Sequence, residues 1–542
     1  MRGIGRAGPG GLAHGITWAT KRHKALWAVG AGARARTDLV GSRAGLHSVP
    51  VDEPPESKTY YSVSTTKKTV DKSAMDFQRE NMFSMDQPFP GVPPLKPASE
   101  LRRPETLVTT IGNGLRVASQ ETYGQLCTFG LVVDVGSRYE TAANTGASHL
   151  MELMSFKSTF KRTAQQVTSE VEDMGGMVTA NSSREQLLIC VDVLRDCLEP
   201  AMEVLADSIL QPLLTQEEVE EQKEVMQLQL AEMPPDLLLK EALQTAAYPG
   251  QPLGRPHFCP PEAAPGLHAS MLHDYRASYF HAPRMVLAGA GVDHEEFVRL
   301  GDKYFAALPA GRGGGGVSVP PSTYIGGEAR LDGVAKEKFT RVAVAFEVGG
   351  WHSDMLVPTC VLQVLLGGGD SFSAGGPGKG MYSRLYREVL NRYYWAEAAE
   401  AFTAINSESG LLGIAGAAVE KNRAAALMHT FCDHFAQLAR GHVDNIELTR
   451  ARNMLKCNML TQLESRLVLF EDIGRQILTY GKRQTPEEIC ALIDGVTKED
   501  IMNVARVALS KPPAISMVGE DLSDLPTHQQ VVGWFGPGPP RS

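Results

Sequence analysis

Nowhere in the 542 residues do 18 apolar residues run together, and no two of the eight cysteines stand as a CxxC pair. The first absence leaves no segment able to cross a membrane as a helix. The second, with cysteines scattered at 127, 190, 197, 259, 360, 432, 457 and 490, excludes a disulfide frame and reads as reduced thiols in a reducing compartment. Acid is missing too: no Asp or Glu precedes Asp38, while Arg2, Arg6, Lys21, Arg22, Lys24, Arg34 and Arg36 fall in the same stretch. A basic, Ala- and Gly-rich start without a long apolar core is the pattern of an organelle transit peptide, here taken as residues 1–50, and not of a secretory signal. Its removal leaves 45 Lys and Arg against 61 Asp and Glu, a net charge of about −16. Such an acidic body argues against nucleic acid as a partner and suits a basic one, because opposite fields speed encounter.

The remaining composition, 43% hydrophobic and 21% charged, is that of a globular protein with more than one domain. Residues 51–100 are rich in Pro and Ser and read as an extended arm. Regular structure starts near Leu107, where Asn113-Gly114 between two apolar runs predicts a hairpin. Residues 127–135 read as a buried strand, 144–156 and 163–174 as helices, and 177–181 and 185–193 as strands. Thr215 is the expected N-cap of a further helix with acids in its first turn. The run GRGGGGVSVPPS opens a linker at 311–335 between halves at 101–310 and 336–542.

The two sides of that linker match. VVDVGSRYE at 132–140 matches VAFEVGGWHS near 345–353, an offset of 213. The helix from Leu214 matches that from Val443, and the strand from Val286 that from Ile515, both at 229; Pro283 matches Pro513 at 230. Three matches in order predict a duplicated α/β (α+β) fold: two halves of about 200 residues, each a mixed sheet packed by helices, paired like a clam. The offset grows by 16, which places an insertion in the second half between 353 and 443. GGGDSFSAGGPGKG, residues 367–380 with seven glycines, is the candidate.

Two constellations carry chemistry. His149-Leu150-Met151-Glu152-Leu153 resembles an inverted zinc motif, H-x-x-E-H, whose two histidines share one helix face and whose Glu polarises water. Here the second histidine is Leu153, which has no lone pair to offer. A third ligand would be a carboxylate on a later helix, and Gln222 and Gln229 stand there, uncharged and poor zinc donors. No metal is expected on this chain. His429 and His434 are five apart, off the same-face spacing. The glycine segment is not a Walker A loop, since Lys379 precedes Gly380 and not Ser or Thr. Glycines give it freedom of backbone and expose N–H and C=O groups to an extended peptide. The periodic run MYSRLYREVLNRY after it predicts a helix anchoring its far end, as in a lid or clamp.

On SFSAGGPGKGMYSRLYREVLNRYYW, HLMELMSFKST, DMGGMVTANSSREQ, ILQPLLTQEEVE, YRASYFHAPRMVLAGAGV and LESRLVLFEDIGRQIL, the chain resembles the alpha-subunit family of mitochondrial processing peptidases over about 101–525. The resemblance implies a non-catalytic member of a pitrilysin-like metallopeptidase heterodimer. Zinc would sit on the beta subunit, and no cofactor on this chain. It implies that His149, Glu152, Leu153, Gln222 and Gln229 occupy the degenerate metal positions. It further implies that Gly367, Gly368, Gly369, Asp370, Ser371, Phe372, Ser373, Ala374, Gly375, Gly376, Pro377, Gly378, Lys379 and Gly380 help to bind presequence peptides of imported precursors. The location implied is the mitochondrial matrix or the matrix face of the inner membrane. Relatives of both subunits also serve as core proteins of respiratory complex III, an alternative or additional role. A self-sufficient metalloprotease with unconventional ligands is the third reading. Asp370 stands where the family usually has a fourth glycine, and an acid there could attract a basic presequence or stiffen the loop.

Overall fold

The computed structural model describes residues 104–311, 319–333, 339–371 and 380–535, which fall in one compact unit. The expected transit segment 1–50, the arm 51–100 and residues 372–379 of the glycine segment lie outside the described residues. Among those described, no helix is long and apolar enough to cross a membrane.

Among the described residues, twelve strands form two six-stranded mixed sheets. The first holds β1 (Thr106–Thr110), β2 (Arg116–Gln120), β3 (Leu126–Val133), β4 (Met177–Ser182), β5 (Leu187–Leu194) and β6 (Met285–Ala290), in the order β1-β2-β6-β3-β5-β4. The second holds β7 (Gly327–Asp332), β8 (Thr340–Gly349), β9 (Gly368–Asp370), β10 (Ala396–Ile405), β11 (Ser409–Ala418) and β12 (Ala514–Gly519), in the order β7-β12-β8-β11-β10-β9. The Asn113-Gly114 hairpin forms as expected, with β1 and β2 antiparallel and Gly114 at φ 92°.

Five strands superpose in order and direction: β2-β6-β3-β5-β4 upon β7-β12-β8-β11-β10, each run with one parallel pair at its start. The duplication read from the sequence is therefore real. β1 is the extra strand of the first sheet, and β9, made by the glycine segment, is the extra strand of the second. Register agrees with the two strand matches to within one residue: Val132 faces Val286, and Ala345 faces Ala514. The expected linker 311–335 also contains β7, an edge strand paired in parallel with β12. Its sequence, GEARLD, alternates Ala329 and Leu331 on one face with Glu328, Arg330 and Asp332 on the other, but over only six residues, none fully buried, beside a glycine-rich run.

Seven helices matter here: α1 (Ala147–Leu153), α2 (Gln216–Ala231), α3 (Pro235–Ala247), α4 (Leu356–Leu366), α5 (Ala424–Ala439), α6 (Asn445–Leu463) and α7 (Arg466–Tyr480). The halves exchange helices. From the first half, Leu239, Leu243 and Ala247 of α3 pack on Ala343, Ala345, Leu411 and Val518 of the second sheet. From the second half, Leu469, Phe470, Ile473 and Ile477 of α7 pack on Val132, Leu188, Val286 and Ala288 of the first. α7 comes close enough that a Cβ on Gly474 would lie 2.3 Å from Val132 Cγ2, which explains a glycine in mid-helix. Neither sheet can bury both faces without the other half.

A buried ion cluster rivets the same junction. Arg138 bonds Glu185 of its own half and, through both terminal nitrogens at 2.8 and 2.9 Å, Glu408 of the other. Glu185 accepts from the Ser407 N–H, and Glu408 from the Ser322 N–H. Burial works against the Arg138 charge, but the two carboxylates overcome it and hold its pKa above the ordinary value.

A degenerate metal site and a pinned glycine segment

α1 is only seven residues long and starts at Gly146, in the left-handed region at φ 92°, which offers no capping side chain. Glu140 supplies the cap from outside. Its carboxylate accepts from the N–H groups of Gly146 and Ser148, both at 2.8 Å, and from the Ser148 hydroxyl. Burial pushes the Glu140 carboxyl up to about 7, and the three donors only partly offset this. A carboxyl raised in the folded state holds its proton while the unfolded one has lost it. Between pH 4.5 and about 7, stability therefore falls as pH rises, by on the order of 3 kcal/mol. Glu140→Gln should flatten that slope in melting curves taken from pH 5 to 8. An unchanged slope would place the effect elsewhere.

The capped helix presents His149 toward α2. The buried imidazole accepts from the Cys259 N–H at Nδ1, 3.3 Å away. That contact fixes the tautomer, so Nε2 carries the hydrogen and donates it to Gln229 Oε1 at 2.8 Å. Burial holds the His149 pKa below its ordinary value, with Gln229 and Glu152 pulling the other way. The Phe258 ring meets the imidazole edge-on at 5.3 Å. Glu152 turns to β4, where the Ser182 N–H and hydroxyl both donate to Oε2 at 2.7 Å. Leu153, on the face of His149, packs on the first-half core. Gln222 is buried two turns before Gln229 on α2.

The five sequence-derived positions thus gather on facing helices. What the residues present can do there is hydrogen-bond each other. The nitrogen a metal would need is committed to an amide, and the carboxylate that would polarise water is committed to Ser182. Among the described residues no three His, Cys, Asp or Glu side chains converge as a metal site. His429 instead meets the Trp534 ring at 5.0 Å and His434 is buried in α5. Ser182, Cys259 and Glu140 were missed by sequence reasoning, since a backbone donor and two distant polar groups leave no motif.

The glycine segment is pinned at both described ends. Gly367 closes α4 at φ 57°, and β9 pairs with β10 through Gly368, Gly369 and Asp370. The Ser371 N–H donates to Glu397 O at 2.7 Å. At the far end Gly380, φ 76°, accepts from the Ser383 N–H, and Ser383 Oγ accepts from the Gly368 N–H at 3.0 Å. One serine therefore ties the start of the segment to its end. Phe372, Ser373, Ala374, Gly375, Gly376, Pro377, Gly378 and Lys379 lie outside the described residues. The helix expected after the segment forms but is short: Arg384 and Leu385 are α-helical and run into a π-helical turn, Tyr386–Leu390, capped by Asn391. Arg384, drawn to Glu447 by two bonds of 2.9 and 2.6 Å, fixes its start. A Cβ on Gly368 would lie 1.9 Å from Ala399 O. Gly368→Val should unpair β9, seen as fast amide exchange at Ala399 and Ala401, whose N–H groups face it; persisting protection there would contradict it.

Comparison with known proteins agrees with this geometry. The family model for Insulinase (Peptidase family M16) matches residues 116–261, and that for the Peptidase M16 inactive domain matches 267–455. The alpha subunit of the mitochondrial-processing peptidase of Solanum tuberosum is 40% identical over 435 residues, 80% of this chain and 85% of its own. The human alpha subunit is 37% identical over 468 residues, 82% of this chain and 88% of its own. The chain belongs to the alpha-subunit family of mitochondrial-processing peptidases. The residues that the sequence reading expects at metal positions, His149, Leu153 and Gln229, are joined here by hydrogen bonding and packing.

Proposed function

We propose that this chain is the non-catalytic, substrate-recognising subunit of a mitochondrial processing peptidase, binding presequences of imported precursors for cleavage by a beta subunit. The observation that carries the reading is the His149–Gln229 bond, which uses the metal position for a contact between helices. The acidic body attracts a basic presequence at long range. The segment 367–380, held at both ends, offers backbone groups to an extended peptide. This chain binds and orients; hydrolysis, and the zinc that supports it, belong to the partner. The setting that follows is the mitochondrial matrix or the matrix face of the inner membrane.

The test is deletion of residues 372–379, which leaves the pinned ends intact, in the assembled heterodimer. Precursor affinity and kcat/KM should fall by at least about tenfold, equivalent to 1.4 kcal/mol. Full retention of both would sink the reading. Co-migration with cytochromes on native gels would add the role of a complex III core subunit.

A further inference from the structure

The second half has its own counterpart of the degenerate site. At the repeat offsets, Leu365 of α4 stands where the first half has Glu152, and Ala451 and Asn458 of α6 stand for Gln222 and Gln229. The equivalence is structural as well: the N-caps of α2 and α6, Thr215 and Asp444, are also 229 apart. In the first half Glu152 and Gln229 are held by hydrogen bonds to Ser182 and His149. In the second the counterparts line a groove of about 1170 Å³ between α4, α6 and the π-helical turn, with Gly380 on its rim.

We infer that this groove binds an extended acidic polypeptide segment, carrying an aliphatic or aromatic anchor, contributed by another chain. The floor is apolar, built from Val364, Leu365 and Met454, and Tyr382 and Ile446 are exposed at the mouth. Charge decides the sign of the ligand. Three charged side chains line the groove: Arg387, Glu447 and Arg450. Glu447 is neutralised by the buried Arg384 at 2.6 Å, whereas no carboxylate among the described residues pairs with Arg387 or Arg450. Arg450 lies over the Tyr382 ring at 5.4 Å, which presents its guanidinium beside the apolar floor. The result is a positive groove on an acidic chain, complementary to carboxylates and opposed to a basic presequence.

The amides decide between a peptide and an acyl chain. Asn391, Asn445, Asn453 and Asn458 all line the groove, each offering a donor and an acceptor. A polypeptide backbone uses both kinds; a hydrocarbon tail uses neither. Tyr, Met and Arg around an apolar floor are also the composition of protein-contact centres. This site goes beyond the presequence reading and stands apart from it, because its ligand has the opposite charge.

The experiment uses the purified full-length chain and a fluorescein-labelled octapeptide alternating Glu with Leu and Phe, with a Lys-for-Glu version as control. Anisotropy reports binding, and the alkylation rate of Cys457, exposed in the groove lining, reports place. The acidic peptide should bind more tightly than the lysine version and slow Cys457 alkylation. Arg387→Glu with Arg450→Glu should weaken it about tenfold or more while the melting temperature stays native. Three results overturn the inference: equal binding of the two peptides, an unchanged Cys457 rate on saturation, or displacement by sodium laurate at comparable concentration, which would make this an acyl site. The Cys457 measurement needs no variant, so a double variant that fails to fold does not shelter the proposal. Normal precursor processing by the double variant would leave the presequence reading untouched.

Discussion

Leu153→His combined with Gln229→Glu should make this chain retain one zinc ion per molecule. The double change restores two histidines four apart on α1 and a carboxylate on α2, at a position already 2.8 Å from His149 Nε2. Gln229 is exposed, so a charged side chain there costs little desolvation. Gln229→Glu alone should give a His–Glu pair and no retained zinc; Leu153→His alone leaves the third ligand uncharged. Zinc by elemental analysis is the primary measurement. A thermal shift is the second, since metal at a thousandfold excess over its Kd stabilises by about 4 kcal/mol. A folded double variant with no more zinc than the native chain would show that the helices do not hold metal-site geometry. Glu152 would still be held by Ser182, so zinc binding should return without full hydrolytic activity unless Ser182 is also changed.

Arg138→Met should destabilise the whole chain by about 3–5 kcal/mol. The loss would come less from the missing bonds than from what remains. Glu185 is buried and Glu408 partly so, and without the guanidinium two carboxylates face each other across the junction of the halves. Against a usual total of about 5–15 kcal/mol, that is enough to threaten folding. Denaturant unfolding should show a lower midpoint, and Arg138→Met with Glu185→Gln should recover part of the loss by removing one stranded charge. An Arg138→Met variant within 1 kcal/mol of the native chain, a cutoff of about the size of a surface ion pair, would mean the cluster is hydrated.

The exchange of α3 and α7 is where sequence reading ran out. Both helices show an apolar stripe, and a stripe states that a face is buried without stating against which sheet. Proximity in the chain would put α3 on the first sheet; the structure puts it on the second. β7 escaped notice because its alternation of Ala329 and Leu331 with charged residues spans only six positions inside a segment that its glycines mark as a linker. The short helix after Gly380 turns π-helical beside a distant ion pair, Arg384 with Glu447, and neither feature is visible in local periodicity. By contrast, the hairpin at Asn113-Gly114, the N-cap at Thr215 and the buried strand β3 were legible because turn chemistry, capping and burial act within a few residues.

The sequence by itself determined that the chain is a doubled fold and that its H-x-x-E motif lacks a second histidine. Those facts reside in residue identity and spacing: Leu153 has no lone pair, and the repeat survives as recurring residues at near-constant offset. Only the tertiary structure decided what the side chains around that motif do. His149 lies 80 residues from Gln229 and 110 from Cys259, and which nitrogen donates is set by where folding brings each partner. The same holds for the two sites related by the repeat. A His149–Gln229 hydrogen bond joins α1 to α2 in one, while apolar residues on α4 and α6 line the other, a positive groove.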